Sequence, residues 1–202
     1  MTGGYLCPDE KIDSNMFLPG FLIAWVTFPG TIIHEFAHKK ACEWRGIRVR
    51  EVNYFSLDGS GYVRHDTARD YRDSILISTA PLGINTVVAF CCWLGAGVGL
   101  ASAFPAVVPE SLADPLTFVL LWLGVSVGMG AIPSTGDTDH VWREVKQYWR
   151  RSMLAALLIP AVVILYVANL LSFLWADLIY AIGVGVSALW VLSQMGLTTG
   201  VI

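Results

Sequence analysis

Five apolar runs limit what this chain can fold into more than any other feature: Met16–Ala37, Ile75–Phe104, Leu116–Pro133, Met153–Leu174 and Trp175–Leu197. Each approaches or exceeds the ~20 residues that carry a helix across the hydrocarbon core of a bilayer. Inside lipid no water satisfies backbone N–H and C=O groups, and a helix pairs them internally. The last two runs meet at Trp175-Ala176-Asp177, but together they have about twice the length of one crossing and read as two helices. Only 14% of the 202 residues are charged, against about 25% in an ordinary soluble domain. The expected fold is an all-α membrane protein, a bundle of about five transmembrane helices forming one domain over residues 1–202. The polar stretch Met1–Asn15 lacks a basic segment leading into a short apolar core, so the first run is expected to stay as a span.

Charge orients the bundle. Of the 13 Lys and Arg residues, Lys39, Lys40, Arg45, Arg48, Arg50, Arg64, Arg69 and Arg72 follow the first run. Arg143, Lys146, Arg150 and Arg151 follow the third, leaving only Lys11 elsewhere. Five alternating spans put both connections on one side, which the positive-inside rule assigns to the cytoplasm. The N-terminus is then expected outside, with the Pro105–Pro115 connection, which has Glu110 and Asp114 but no basic residue. The bilayer is the expected partner surface, and no nucleic-acid partner is expected.

Between the first two runs, Ile47–Phe55 and Gly61–His65 are predicted as short strands of a hairpin. Val49, Val52, Tyr54 and Val63 favour strands, and Asp58-Gly59-Ser60-Gly61 supplies turn chemistry. After the third run, Asp139–Arg151 is predicted as an amphipathic helix. Its Trp142, Val145 and Trp149 recur at helical spacing and are expected to anchor it at the membrane interface. Cys7, Cys42, Cys91 and Cys92 form no C-x-x-C pair and suggest neither a disulfide framework nor a cysteine metal site.

Near the end of the first run stands His34-Glu35-Phe36-Ala37-His38. On a helix, residues four apart share a face, so His34 and His38 can present two imidazoles to one Zn²⁺. Glu35 then lies beside the metal as a base rather than a ligand. Without a metal, both histidines would be ordinary core residues and Glu35 would pair with Lys39 one turn on. Three ionisable groups clustered in a membrane helix need stronger compensation, which a metal supplies. A catalytic zinc site takes three protein ligands and keeps one position open. Asp58, Asp137, Asp139 and His140 are the candidates for the third. Asp58 sits in ordinary hairpin-turn sequence, and Asp137 could instead cap the following helix. Asp137 and Asp139 fall on the same side of the membrane as the histidines, with His140 beside them. In the second run, Pro81 can release backbone groups to neighbours. Asn85 offers both donor and acceptor in an apolar setting, for a helix–helix hydrogen bond or for a substrate.

Taken together, these residues resemble the site-2 protease family of intramembrane zinc metalloproteases. The motif of that family's first core span corresponds to His34, Glu35 and His38. Its Gly-Pro-x-x-Asn-like element is approximated by Ala80-Pro81-Leu82-Gly83-Ile84-Asn85, with one extra residue between Pro and Asn. Where the family has an aspartate in Leu-Asp-Gly on a third core span, this chain has Ser134-Thr135-Gly136-Asp137. The resemblance covers a core of residues 17–142 and leaves two additional C-terminal spans over 153–197. It implies Zn²⁺ held by His34, His38 and Asp137, Glu35 as the catalytic base, and Asn85 in substrate binding. It also implies hydrolysis of peptide bonds in or near transmembrane segments of other membrane proteins, with the active site towards the cytoplasmic side. Glu35 would take a proton from water activated by zinc and return it to the leaving amine. A hairpin edge would hold the unwound substrate by strand addition. The alternative is a non-proteolytic membrane protein with a structural or degenerate metal site that regulates a bound partner. The intact Glu35 counts against it, because a structural metal needs no base.

Overall fold

The computed structural model describes residues 20–68, 70–100, 110–172 and 175–196. In chain order come helices α1 (Gly20–Val26) and α2 (Phe28–Trp44), and strands β1 (Val49–Asn53) and β2 (Tyr62–His65). Helices α3 (Tyr71–Leu100), α4 (Glu110–Met129), α5 (Thr135–Tyr148), α6 (Met153–Ser172) and α7 (Ala176–Gln194) follow. The described part is therefore mostly helical, with one two-stranded antiparallel sheet. Cys7, Arg69, the 101–104 end of the second run and the 105–109 part of the next connection lie outside the described residues.

Among the described residues, α3, α6 and α7 are long and apolar enough to cross a membrane, three helices where five spans are expected. The apolar part of α4 covers only Asp114–Met129. The first run is not one helix, because the chain breaks at Thr27 between α1 and α2. Pro29 explains the break: it has no N–H to donate, and its ring would clash with the carbonyl of Trp25. Carbonyls at the break also reach α4. Trp122 Nε1 donates to Val26 O at 2.8 Å, and Ser126 Oγ donates to Thr27 O at 2.9 Å.

Helix α3 is the hub, packing against α2, α4, α5 and α7. Small residues set how closely the helices approach. A Cβ on Gly30 would lie 2.1 Å from the Ser126 carbonyl oxygen, so α2 and α4 touch backbone to backbone there. The Trp93 indole of α3 lies against Gly124 of α4 and Gly185 of α7. Outward faces of α6 and α7 expose Leu157, Ile164, Leu170, Ile179, Val186 and Trp190. A band of that character suits hydrocarbon rather than water.

The hairpin forms as expected but with shorter strands, because residues 54–61 are taken up by the turn. The register pairs Val49 with His65, Val52 with Val63 and Asn53 with Tyr62, with an irregularity between Val49 and Glu51. Asp58 Oδ1 accepts from Ser60 N at 3.0 Å and Ser60 Oγ at 2.8 Å. Gly59 adopts φ 86°, the left-handed region that glycine enters without penalty. The hairpin tip reaches back to α1, where Trp25 Nε1 donates to Leu57 O at 3.2 Å.

Helix α5 starts at Thr135, four residues earlier than predicted. Ser134 caps it, and Asp137 closes a reciprocal capping box, so Asp137 is the third helical residue and not the cap itself. The expected interface stripe turns mostly inward. Val141 and Val145 are buried with Ile75 and Val162, and Trp142 packs edge-on against Tyr166. Only Trp149 of the stripe is exposed. Asn169 of α6 donates to Pro133 O at 3.2 Å and Thr138 Oγ1 at 3.1 Å, fastening α6 to the start of α5.

Candidate metal centre

His34 and His38 project from one face of α2 towards the junction of α3, α4 and α5. His34 Nδ1 lies 2.8 Å from Gly130 O, and His38 Nδ1 lies 2.9 Å from Ile77 O. A carbonyl oxygen only accepts, so both Nδ1 atoms carry a proton, and in the neutral imidazole each Nε2 presents its lone pair. Those two Nε2 atoms are 3.1 Å apart. Asp137 Oδ2 stands 3.6 Å from His34 Nε2 and 3.4 Å from His38 Nε2. The three side chains are 13%, 10% and 7% exposed.

Two Nε2 atoms and a carboxylate oxygen facing one another away from water need a proton or a metal ion among them. Their spacing fits a metal. Bonds of about 2.0–2.1 Å to a tetrahedral zinc put neighbouring donor atoms roughly 3.3–3.4 Å apart. His34, His38 and Asp137 can hold a metal ion, and three protein donors leave one tetrahedral position free. The outer contacts match what metal ligands usually have, with each imidazole N–H given to a carbonyl and the carboxylate itself hydrogen-bonded. For Asp137 those donors are Ser134 N at 3.1 Å and Ser134 Oγ at 2.8 Å, both to Oδ2. The oxygen that closes the helix cap is thus the one that faces the histidines.

The other candidates are engaged elsewhere. The Ser60 backbone N–H, then its hydroxyl, holds the Asp58 carboxyl below the usual carboxylate range. Asp139 Oδ1 accepts from the Tyr166 hydroxyl. Arg143 donates to His140 Nδ1 at 3.3 Å, so Nε2 carries the proton and donates to Ser74 Oγ. Burial, followed by the Arg143 guanidinium, holds His140 below the ordinary histidine value.

Glu35 is buried beside this triad. Lys39 does not pair with it, and instead reaches Glu43 at 3.7 Å and the Tyr54 hydroxyl at 3.3 Å. Among the described residues, no hydrogen bond reaches the Glu35 carboxylate. Its Cγ presses against Gly61, where a Cβ would lie 2.5 Å away and within 3.2 Å of the Asn53 carbonyl oxygen. The hairpin therefore forms one wall around this side chain. Outside that wall, a cleft of about 900 Å³ opens between Trp25, Phe28 and Ile32 on the helices and Asn53, Phe55 and Leu57 on the hairpin.

Asn85 is wholly buried. Its Nδ2 donates to Gly130 O at 2.9 Å, Gly30 O at 3.3 Å and Val127 O at 3.4 Å, while Oδ1 has no partner. The amide thus clamps α2, α3 and α4 and shares with His34 a single acceptor, Gly130 O. Ser134, Gly61 and the two acceptor carbonyls are functional neighbours that the sequence reading misses. Ser134 had a usable signal, a serine three residues before an acidic one at a helix start. Gly61 and the carbonyls had none. No protein-family model, curated protein or solved structure matches this chain.

Proposed function

We propose that this protein is an intramembrane zinc metalloendopeptidase that hydrolyses peptide bonds in or near transmembrane segments of other membrane proteins. One observation carries the reading. Two imidazole Nε2 atoms and a carboxylate oxygen converge at metal-ligand spacing, and next to them stands the buried Glu35 carboxylate, with no hydrogen bond among the described residues. A donor set of two nitrogens and one oxygen favours zinc among common divalent ions. Bound there, zinc would activate a water molecule and polarise the scissile carbonyl.

The chain supplies the rest. Glu35, free of Lys39, accepts a proton at its carboxylate and delivers it to the leaving amide nitrogen. Carbonyls hold the two imidazoles and Ser134 holds the carboxylate, so the three donors would already be oriented for the metal. The apolar cleft between the first helices and the hairpin gives an unwound hydrophobic segment a surface to lie on, on the far side of the hairpin wall from Glu35. The basic residues of the two connections support, by the positive-inside rule, a cytoplasmic position for the His34–Asp137 end of the bundle. A partner-binding regulator would need no unpaired carboxylate at its metal, so the freedom of Glu35 favours the enzyme.

Purified Glu35→Gln protein separates the two readings. It should keep wild-type zinc content and lose at least about 100-fold in cleavage of transmembrane peptides in detergent, the loss expected when a general base is removed. Wild-type protein that binds zinc but cuts none of a broad panel of such peptides would favour the regulator, and unchanged cleavage by the variant would remove Glu35 from the mechanism.

A further inference from the structure

We propose that one turn of α3, from Pro81 to Asn85, sets the orientation and tautomer of both metal-facing histidines. This rests on the metal reading of the site and assigns residues that touch neither metal nor substrate. In a helix the N–H of residue 81 would bond the carbonyl of residue 77, but proline has no N–H and its ring pushes that carbonyl aside. Ile77 O is therefore without its ordinary helical donor. His38 Nδ1 takes the place, at 2.9 Å. The proline is fully buried, inside α3, with no visible role as a turn or a terminus.

Asn85 stands one turn on, at i+4, and so shares a face of α3 with Pro81. It acts on the second histidine. Gly130 follows the last residue of α4, where carbonyls have no intrahelical donor. Its oxygen accepts from His34 Nδ1 at 2.8 Å and from Asn85 Nδ2 at 2.9 Å. The Asn85 amide also donates to Gly30 O, which fixes α2 against α4 at the level from which His34 projects. A wholly buried amide with one oxygen left unpartnered is costly in a core that could have been apolar. Holding Gly130 O in place accounts for its presence. Pro81 and Asn85 are thus positioning residues: each presents a fixed carbonyl to an imidazole N–H, and each leaves a lone pair on Nε2 pointing at the shared centre.

The test uses the full-length protein in detergent, stripped of metal and titrated with Co²⁺, whose visible absorption reports ligand geometry. Pro81→Ala and Pro81→Val both restore the N–H, and valine nearly keeps the volume. Each should bind Co²⁺ about 10–100-fold more weakly, the usual cost of losing an outer-shell partner, with an altered absorption envelope. Asn85→Leu should do the same. Pro160→Ala, at an exposed proline within α6, should match wild type in both readouts. Wild-type affinity and spectrum in a folded variant at either position overturns the proposal. A ¹⁵N spectrum of the zinc-loaded wild-type imidazoles decides the matter without any variant: both must be protonated at Nδ1, and metal on either Nδ1 overturns it. Failure of the wild type to bind Co²⁺ or Zn²⁺ at all would instead overturn the metal reading itself.

Discussion

Asp137 holds two positions at once, third residue of a capping box and third corner of a metal triad, through a single oxygen. Cap and ligand are competing readings in the sequence, but the fold combines them, because the carboxylate that Ser134 holds also faces both imidazole Nε2 atoms. Ser134 aims that oxygen, and this leads to a graded prediction. Asp137→Ala should abolish stoichiometric zinc binding, whereas Ser134→Ala should weaken it about 10–100-fold, both read by competition with a zinc chelator. Equal effects would mean that Ser134 is itself a ligand or that its variant unfolds α5. Gly61 is a second residue-scale case. A Cβ there would meet Glu35 Cγ at 2.5 Å, so Gly61→Ala should displace the base while sparing the metal. Cleavage should fall about 10–100-fold, as displacing a reacting group by about 1 Å does, with zinc content unchanged by elemental analysis.

The same economy of backbone groups recurs among the helices. Breaking the first run at Pro29 costs a continuous span but turns Val26 O and Thr27 O towards Trp122 and Ser126 of α4. That junction sets the α2–α4 distance, on which the separation of His34 from Gly130 O depends. Gly30→Ala should therefore push α2 from α4, costing about 1–3 kcal/mol as overpacked sites do and weakening zinc binding along with stability. Thermal unfolding in detergent and a metal titration on the same sample would check it; lost stability with unchanged zinc affinity would uncouple the junction from the site. The run lengths gave little warning of the break, since Phe28-Pro29-Gly30 sits inside an otherwise apolar stretch. For α5, helical spacing was legible, but the side of the stripe was not. Val141 and Val145 face Ile75 and Val162 because α6 returns over α5, a fact that no local pattern contains.

For the molecule as a whole, the metal would join elements far apart in the chain, α2 to the α4–α5 corner, and bind only the folded form. Zinc at about 100 times its dissociation constant should add about 2.7 kcal/mol of stability and raise the unfolding temperature by several degrees. Chelation should reverse the shift. Because protons compete for the Nε2 atoms and the carboxylate, the shift should shrink as pH falls. A zinc effect independent of pH would place the ion at some other site. The exposed apolar faces of α6 and α7 complete a surface suited to lipid, and α3, at the hub, carries the turn that serves both histidines.

The sequence by itself determined what depends on neighbours along the chain. Helical periodicity put His34 and His38 on one face, Asp58-Gly59 made a turn, and apolar composition required helices with outward faces fit for hydrocarbon. Packing alone selects Asp137 from among Asp58, Asp137, Asp139 and His140 to complete the triad, because side chains on separate elements follow no spacing rule. It also decided which backbone carbonyls orient the imidazoles, since every residue offers one and only packing selects Ile77 and Gly130. Contact between helices depends on where Gly30 and Gly130 let backbones meet, and that is settled by the whole bundle at once.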